Sequence, residues 1–505
     1  MHWLSLPEPG QGLSLACTNE LACQAWLAAQ PQAQPLHMLA ALSVQVEALE
    51  GADIAPGTRL NVLDQLRRAS LPAQEAVAPR YLRKALPMLA EDEQCFERAQ
   101  HLWLHFGIAY FRLASQLAAN ERLLALHRAA GALRLAQLCH IQAARSCPAL
   151  LNQLLFAILQ EADTHQLLQS ALTDPDFPHL GEATITGHLA WSFLLQLIAP
   201  YRLTAAQLVV ANRAVSRWRE LASFQRAPSN DPKSHFVDLR PLLAIELPND
   251  VPCWLEIRKV LRKIKQRLEA LQAGEGPEAL KLGRELSGAA CIRLLHEMQA
   301  SLAAQSHPPA TERGEIELAF GAEHAYTVFT GELLVRRGLT SDSASLAHRR
   351  VAMFGFDRVS ALPTAVKQLS VPSEKWTQDG GKALRPLAAG SSRRQAPCLI
   401  ASNPAGQPRL GVLLGLQSST DGVLSAELRW YAAKIEAGRV AQTRQPEPIP
   451  AFLLDDGEQR SLLVPSTAGV TLAASVALEG LSLPQVTPIE VLERGVDFVR
   501  YAIKP

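Results

Sequence analysis

No apolar run in this chain of 505 residues approaches the roughly 20 that a membrane-spanning helix needs. The greasiest stretch, His188 to Tyr201, is too short. The opening Met1-His2-Trp3-Leu4-Ser5 lacks the basic-then-apolar order of a secretion signal. A charge excess is lacking too: 49 Lys and Arg stand against 48 Asp and Glu, a net +1, which gives no reason to bring nucleic acid or a membrane surface to the whole molecule. The eight cysteines (Cys17, Cys23, Cys95, Cys139, Cys147, Cys253, Cys291, Cys398) contain no CxxC pair and no Cys/His cluster at zinc spacing. They read as reduced, mostly buried thiols, and the expected compartment is the cytoplasm. Also missing are the GxxxxGK[ST] phosphate loop, a GxGxxG after a strand, the GxSxG elbow and HExxH. A non-catalytic protein is therefore the expectation, and an enzyme built from dispersed residues ranks last.

What the chain does have is apolar content, 48% against 19% charged, enough for two or more domains with proper cores. Apolar residues recur at helical spacing over 19–30, 36–49, 60–69, 80–86, 92–117, 122–146, 148–169, 183–198 and 204–224, separated by Pro, Gly or Asp. Short connections between such helices favour antiparallel neighbours. No fixed period with a repeated signature is found, so residues 1–305 are expected to form a helical bundle or irregular helical repeat that serves protein interaction. After a polar stretch at 225–250, with a short strand or connector at 237–245, two more helices are expected at 252–273 and 277–304. The first carries Arg258, Lys259, Arg262, Lys263, Lys265 and Arg267, for which a solvated face is the commoner meaning and an anionic partner the rarer one.

Residues 306–340 begin with the best linker, Ser306-His307-Pro308-Pro309, followed by a strand at 315–320 and a short helix to about Thr330. From Arg349 onward the apolar runs are short, rich in Val and Leu, and bounded by Gly, Pro, Ser and Asn. Nine such runs, at 351–359, 383–388, 397–402, 409–417, 423–431, 451–454, 461–465, 470–479 and 491–502, predict an all-β region. A barrel is expected over 341–445, with a further β segment at 446–505. Residues 341–445 hold 14 Lys and Arg against 7 Asp and Glu, a local +7 that favours an anion-facing surface.

Within that region the order is a basic lead-in, His348-Arg349-Arg350-Val351-Ala352-Met353-Phe354, then Trp376-Thr377-Gln378-Asp379-Gly380-Gly381, and then Glu427-Leu428-Arg429-Trp430-Tyr431. This order resembles a PilZ domain, the bacterial receptor module for cyclic di-GMP. The resemblance covers about a fifth of the chain. It implies a small β-barrel in which two arginines four apart clamp phosphates and guanine edges, and in which a turn of the form Asp/Asn-x-Ser-x-x-Gly closes the site. Guanidinium groups offer planar bidentate donors that Lys cannot reproduce. Arg349 and Arg350 match the lead-in, but Met353 and Phe354 stand four residues on. Asp379 and the Gly380-Gly381 pair match part of the turn, while Gly381 holds the Ser position and Leu384 the closing Gly position. The candidate ligand-binding residues are Arg349, Arg350, Asp379, Gly380 and Gly381, with cyclic di-GMP the implied ligand, held weakly or no longer held. In Leu428-Arg429-Trp430 the Trp is expected to fill the barrel.

Two other constellations stand out. Glu97, His101 and His105 are spaced i, i+4 and i+8, so a helix presents them on one face at a spacing compatible with a divalent metal. Structural histidines are the commoner outcome and no metal site is expected. Cys139-His140 are neighbours on a helix and diverge, a poor nucleophile–base pair. The fold class is α+β and multidomain, an all-α N-terminal part followed by an all-β PilZ-like barrel. The expected function is a bacterial regulatory or adaptor protein without catalytic residues or cofactor, with a protein partner for the helices, no nucleic acid and no membrane span. A helical scaffold or chaperone-like interaction protein with no nucleotide ligand is the alternative.

Overall fold

The computed structural model describes residues 3–9, 13–229, 231, 233–243, 251–303, 313–332, 334, 372–386, 392–441 and 449–504. The chain divides into two compact units, Met1–His307 with Ser418–Asp421, and Pro308–Gln417 with Gly422–Pro505. It is an α+β protein: a helical region precedes a strand-rich one. Among the described residues no helix is long and apolar enough to cross a membrane.

The helical unit opens with α1 (Glu20–Ala28), whose cap Asn19 accepts from the Ala22 amide at 3.0 Å, and α2 (Pro35–Glu50), with Pro in its first turn and Gly51 at its end. The periodic Met38, Leu39, Leu42, Val46 and Leu49 of α2 are all buried. The helices expected at 60–69 and 80–86 are corrected to a single α3 (Pro56–Tyr81) that runs through Pro72 and Pro79. Each proline forfeits one backbone bond, but Leu66, Ala73, Val77 and Tyr81 keep one buried face across both. Helices α4 (Ala90–Ala114) and α5 (Ala119–Gln142) pack so closely that a Cβ at Gly107 would lie 2.4 Å from Leu133. There follow α6 (Ala149–Thr164), a small antiparallel pair β1 (Ala171–Thr173) and β2 (Glu182–Thr184), α7 (Ile185–Leu197), and α8 (Ala205–Trp218) behind a Thr204–Gln207 capping box. Strands β3 (Ser223–Gln225), β4 (Phe236–Asp238) and β5 (Trp254–Glu256) form a three-stranded sheet, so the helix expected from Pro252 begins only at α9 (Arg258–Gln272). The last helix of the unit, α10, is Gly288–Ala303.

An ionic knot ties the β1–β2 connection to the bundle. Arg67 of α3 grips Asp174 through two 3.1 Å hydrogen bonds and also binds Asp176. Arg128 of α5 binds Asp174 and lies 3.5 Å from Asp64, which accepts from the Tyr110 hydroxyl at 2.6 Å. Both arginine side chains are at most 5% exposed, so their charges depend on these carboxylates.

The strand-rich unit holds two closed six-stranded barrels. The first comprises β6 (Arg313–Phe320), β7 (Ser373–Asp379), β8 (Lys382–Pro386), β9 (Cys398–Ser402), β10 (Arg409–Ser418) and β11 (Val423–Trp430), with α11 (Ala322–Thr330) after β6. The second comprises β12 (Lys434–Val440), β13 (Ile449–Asp455), β14 (Arg460–Pro465), β15 (Val476–Glu479), β16 (Gln485–Arg494) and β17 (Phe498–Lys504). The 445/446 boundary read from the sequence thus falls between β12 and β13. The single run expected at 491–502 is two strands joined at Gly495, whose approach to Phe498 leaves a Cβ only 2.3 Å. The run expected at 351–359 lies outside the described residues. Trp376, 1% exposed, is the wholly buried tryptophan of the first barrel; Trp430 is half-buried over Gly411 beneath the Arg409 guanidinium.

Two measurements follow from this fold. All eight cysteines are unpaired, so thiol titration of the denatured, unreduced protein is expected to count eight, and a count well below eight would contradict the structure. Between the barrels, the Asp497 carboxylate accepts from the Leu399 amide at 3.0 Å, and burial pushes its pKa from 3.8 to about 6 despite that bond. A carboxyl with a raised folded-state pKa holds its proton longer than the unfolded chain does. Its contribution therefore falls as pH rises from about 4 to about 6 and remains unfavourable above that. Asp497→Asn keeps an acceptor for Leu399 and should add about 1–3 kcal/mol at pH 8 and little at pH 4. An equal effect at both values would refute the assignment.

Candidate functional site

Of the sequence-derived site residues, Asp379, Gly380 and Gly381 fall in the first barrel. Strands β7 and β8 pair Gln378 with Ala383 and Asp379 with Lys382, leaving Gly380-Gly381 as a two-residue hairpin loop. Gly380 has φ +65, a left-handed conformation that glycine adopts freely and that two-residue hairpins require. Asp379 is exposed and pairs with Arg313 Nε of β6 at 2.9 Å, both side chains more than half exposed. The structure brings together Asp379, Gly380 and Gly381; Arg349 and Arg350 lie outside the described residues. Deeper in this barrel, Glu374 receives Arg385 and Arg394, whose guanidinium groups lie over Trp376 and Phe320 at 4.9 and 4.1 Å. In that knot two guanidinium groups share one carboxylate.

The helical unit carries a cavity of about 530 Å³ that reading the sequence missed. Its walls come from the ends of α3 and α5, the β1–β2 connection, α7 and α8, and its chemistry is concentrated on α8. Trp191 of α7 forms one wall and donates from Nε1 to Asn212 Oδ1 at 2.9 Å. The other partner of that indole is Arg134, whose guanidinium lies 3.7 Å from the ring centroid. Burial, with Arg219 nearby, lowers the Arg134 pKa to about 9, and among the described residues its Nε has no hydrogen-bond partner. Arg219 is also buried, but it is satisfied by the carbonyls of Leu180, Ser216 and Glu182 and by Glu220. Arg213 is bound to Glu285, whose pKa this arginine draws down to about 2, while Arg217 is exposed at the rim. Arginines, an indole, an amide and the carboxylates of Glu182 and Glu220 can together hold an anion and the polar edge of a planar ring. The readable signal was the polar stripe Asn212, Arg213, Ser216, Arg217 at helical spacing on α8.

The remaining sequence candidates separate. His101 and His105 are neighbours on α4 with ring centroids 4.2 Å apart, but the carboxylate beside them is Glu47 of α2, and Glu97 is exposed. Cys139 packs against Tyr81 and His140 against Phe96, and burial lowers the His140 pKa to about 4. They do not form a catalytic pair.

Residues 21–229, less than half of the chain, match the family model described as "Cyclic-di-GMP receptor FimW, N-terminal domain". Every residue that lines the cavity lies within that span. No curated protein and no solved structure matches the chain.

Proposed function

We propose that the protein is a bacterial regulatory protein that responds to cyclic di-GMP, with a divergent PilZ-like module in its first barrel and a helical domain that engages a protein partner. The observation that carries this reading is the match of residues 21–229 to a domain of a cyclic di-GMP receptor. The ligand has two phosphates and two guanine bases, so its site needs planar cationic donors and an acceptor for the guanine edge. Arg349 and Arg350 supply the first and Asp379 the second, with Gly380-Gly381 allowing close backbone approach. Recruiting Asp379 from Arg313 costs little, because an exposed ion pair of this kind is worth about 0–1 kcal/mol. The replacement of the second clamp arginine by Met353 or Phe354 lowers affinity without removing the lead-in. The eight unpaired thiols support a cytoplasmic site of action.

A second placement of the same ligand is favoured by the Trp191 and α8 cavity, whose donors suit a phosphate and whose lining lies wholly in the matched span. Calorimetric titration of the full chain with cyclic di-GMP tests the function, and variants locate the site. Arg349→Ala with Arg350→Ala abolishes the heat if the barrel holds the nucleotide. Arg217→Ala does so if the cavity holds it. No heat in the unsubstituted protein leaves the scaffold alternative.

A further inference from the structure

We propose that Glu47, His101 and His105 form a site for one zinc ion that clips α2 to α4. His101 and His105 are one turn apart on α4, the i, i+4 spacing that lets two imidazoles share a metal ion. Glu47 on α2 lies with its Oε1 2.8 Å from His101 Nε2, and one ligand atom from each of the three residues falls within 4.8 Å of the other two. A tetrahedral ion with bonds of about 2.1 Å needs its ligand atoms about 3.4 Å apart, within reach of side-chain adjustments at these partly exposed positions.

A plain hydrogen bond between His101 and Glu47 accounts for only half of the cluster. It leaves two imidazoles packed together and gives His105 Nδ1 no hydrogen-bond partner among the described residues. The Glu50 carboxylate lies 3.8 Å from that nitrogen and is itself held by Arg112. At that distance it makes no hydrogen bond to the ring, but a small shift would bring it into the place of an outer carboxylate that orients a metal-bound histidine. Two neutral imidazoles and one carboxylate form a borderline nitrogen and oxygen set suited to Zn²⁺ and unsuited to Mg²⁺, which prefers an all-oxygen shell. The His101 side chain is 42% exposed, which gives the ion an entry, and three protein ligands leave the fourth position to water.

The proposal is independent of nucleotide binding and is tested without it. The full chain, stripped with a chelator and desalted, is titrated calorimetrically with zinc chloride, and separately with cobalt(II) chloride while visible absorption is recorded. One equivalent of zinc should bind, cobalt should give the visible bands of a four-coordinate site, and the melting temperature should rise with zinc. His101→Ala and Glu47→Gln should each weaken zinc binding at least about 100-fold, and Glu97→Gln should leave it unchanged. Glu47→Gln keeps side-chain volume and an acceptor for His101, so it reports on the metal even if a histidine variant folds poorly. Failure of the unsubstituted protein to bind a full equivalent, or equal binding after both substitutions, overturns the proposal.

Discussion

Asp174→Ala is expected to destabilise the helical domain by about 3–5 kcal/mol, because it removes the carboxylate that two buried guanidinium groups share. Arg67 loses a bidentate partner and keeps Asp176, whereas Arg128 is left with Asp64 at 3.5 Å. Side chains that are at most 5% exposed cannot turn to water for compensation. Glu278→Ala, which removes the partner of exposed Arg284, should change stability by only about 0.5 kcal/mol. The effect also has a pH signature. Burial alone would raise the Asp174 pKa, but Arg67 and Arg128 outweigh it and hold the carboxyl below its ordinary value. A depressed folded-state pKa contributes stability above the unfolded value, and that contribution is lost as pH falls through the folded one. Urea unfolding of the two proteins should therefore show a wide gap at pH 7 that narrows in acid. A loss below about 1 kcal/mol at pH 7 would mean that the knot is not integral to the fold.

The second large effect is on ligand affinity. Each charge-assisted contact from a guanidinium is worth about 1.5–3 kcal/mol, so Arg349→Ala with Arg350→Ala should weaken cyclic di-GMP binding by roughly two to four orders of magnitude. The melting temperature without ligand is expected to change by about 0.5 kcal/mol or less in equivalent stability, the usual range for surface substitutions. Tight binding that ignores the double substitution but disappears in Arg217→Ala would move the site to the helical cavity.

Helices with a continuous apolar stripe, such as α2 and α4, were legible because their buried residues recur at the helical period within one segment. Prolines misled at α3, where burial of a shared face outweighs two missing hydrogen bonds. Strand β7, Ser373–Asp379, is absent from the predicted runs because Trp376 is its one apolar residue; it is a strand because β6 and β8 pair with it on both sides. The glycines Gly380-Gly381 were matched to a turn only through the resemblance, and the structure makes them the loop of the β7–β8 hairpin. The cavity could not, since its lining is drawn from residues between Leu82 and Glu220 and exists only once five elements converge. The histidine cluster shows the same limit in miniature: spacing along one helix proposed Glu97, whereas the fold delivers Glu47 from another.

The most direct measurement of the central claim is calorimetric titration of the full, unsubstituted chain with cyclic di-GMP, with cyclic di-AMP as the comparison. Saturable micromolar binding of the guanine dinucleotide, and much weaker binding of the adenine one, is the predicted result of the proposed site, in which arginines and Asp379 would address the guanine edges. Absence of binding to cyclic di-GMP at ligand concentrations far above that of the protein would contradict it.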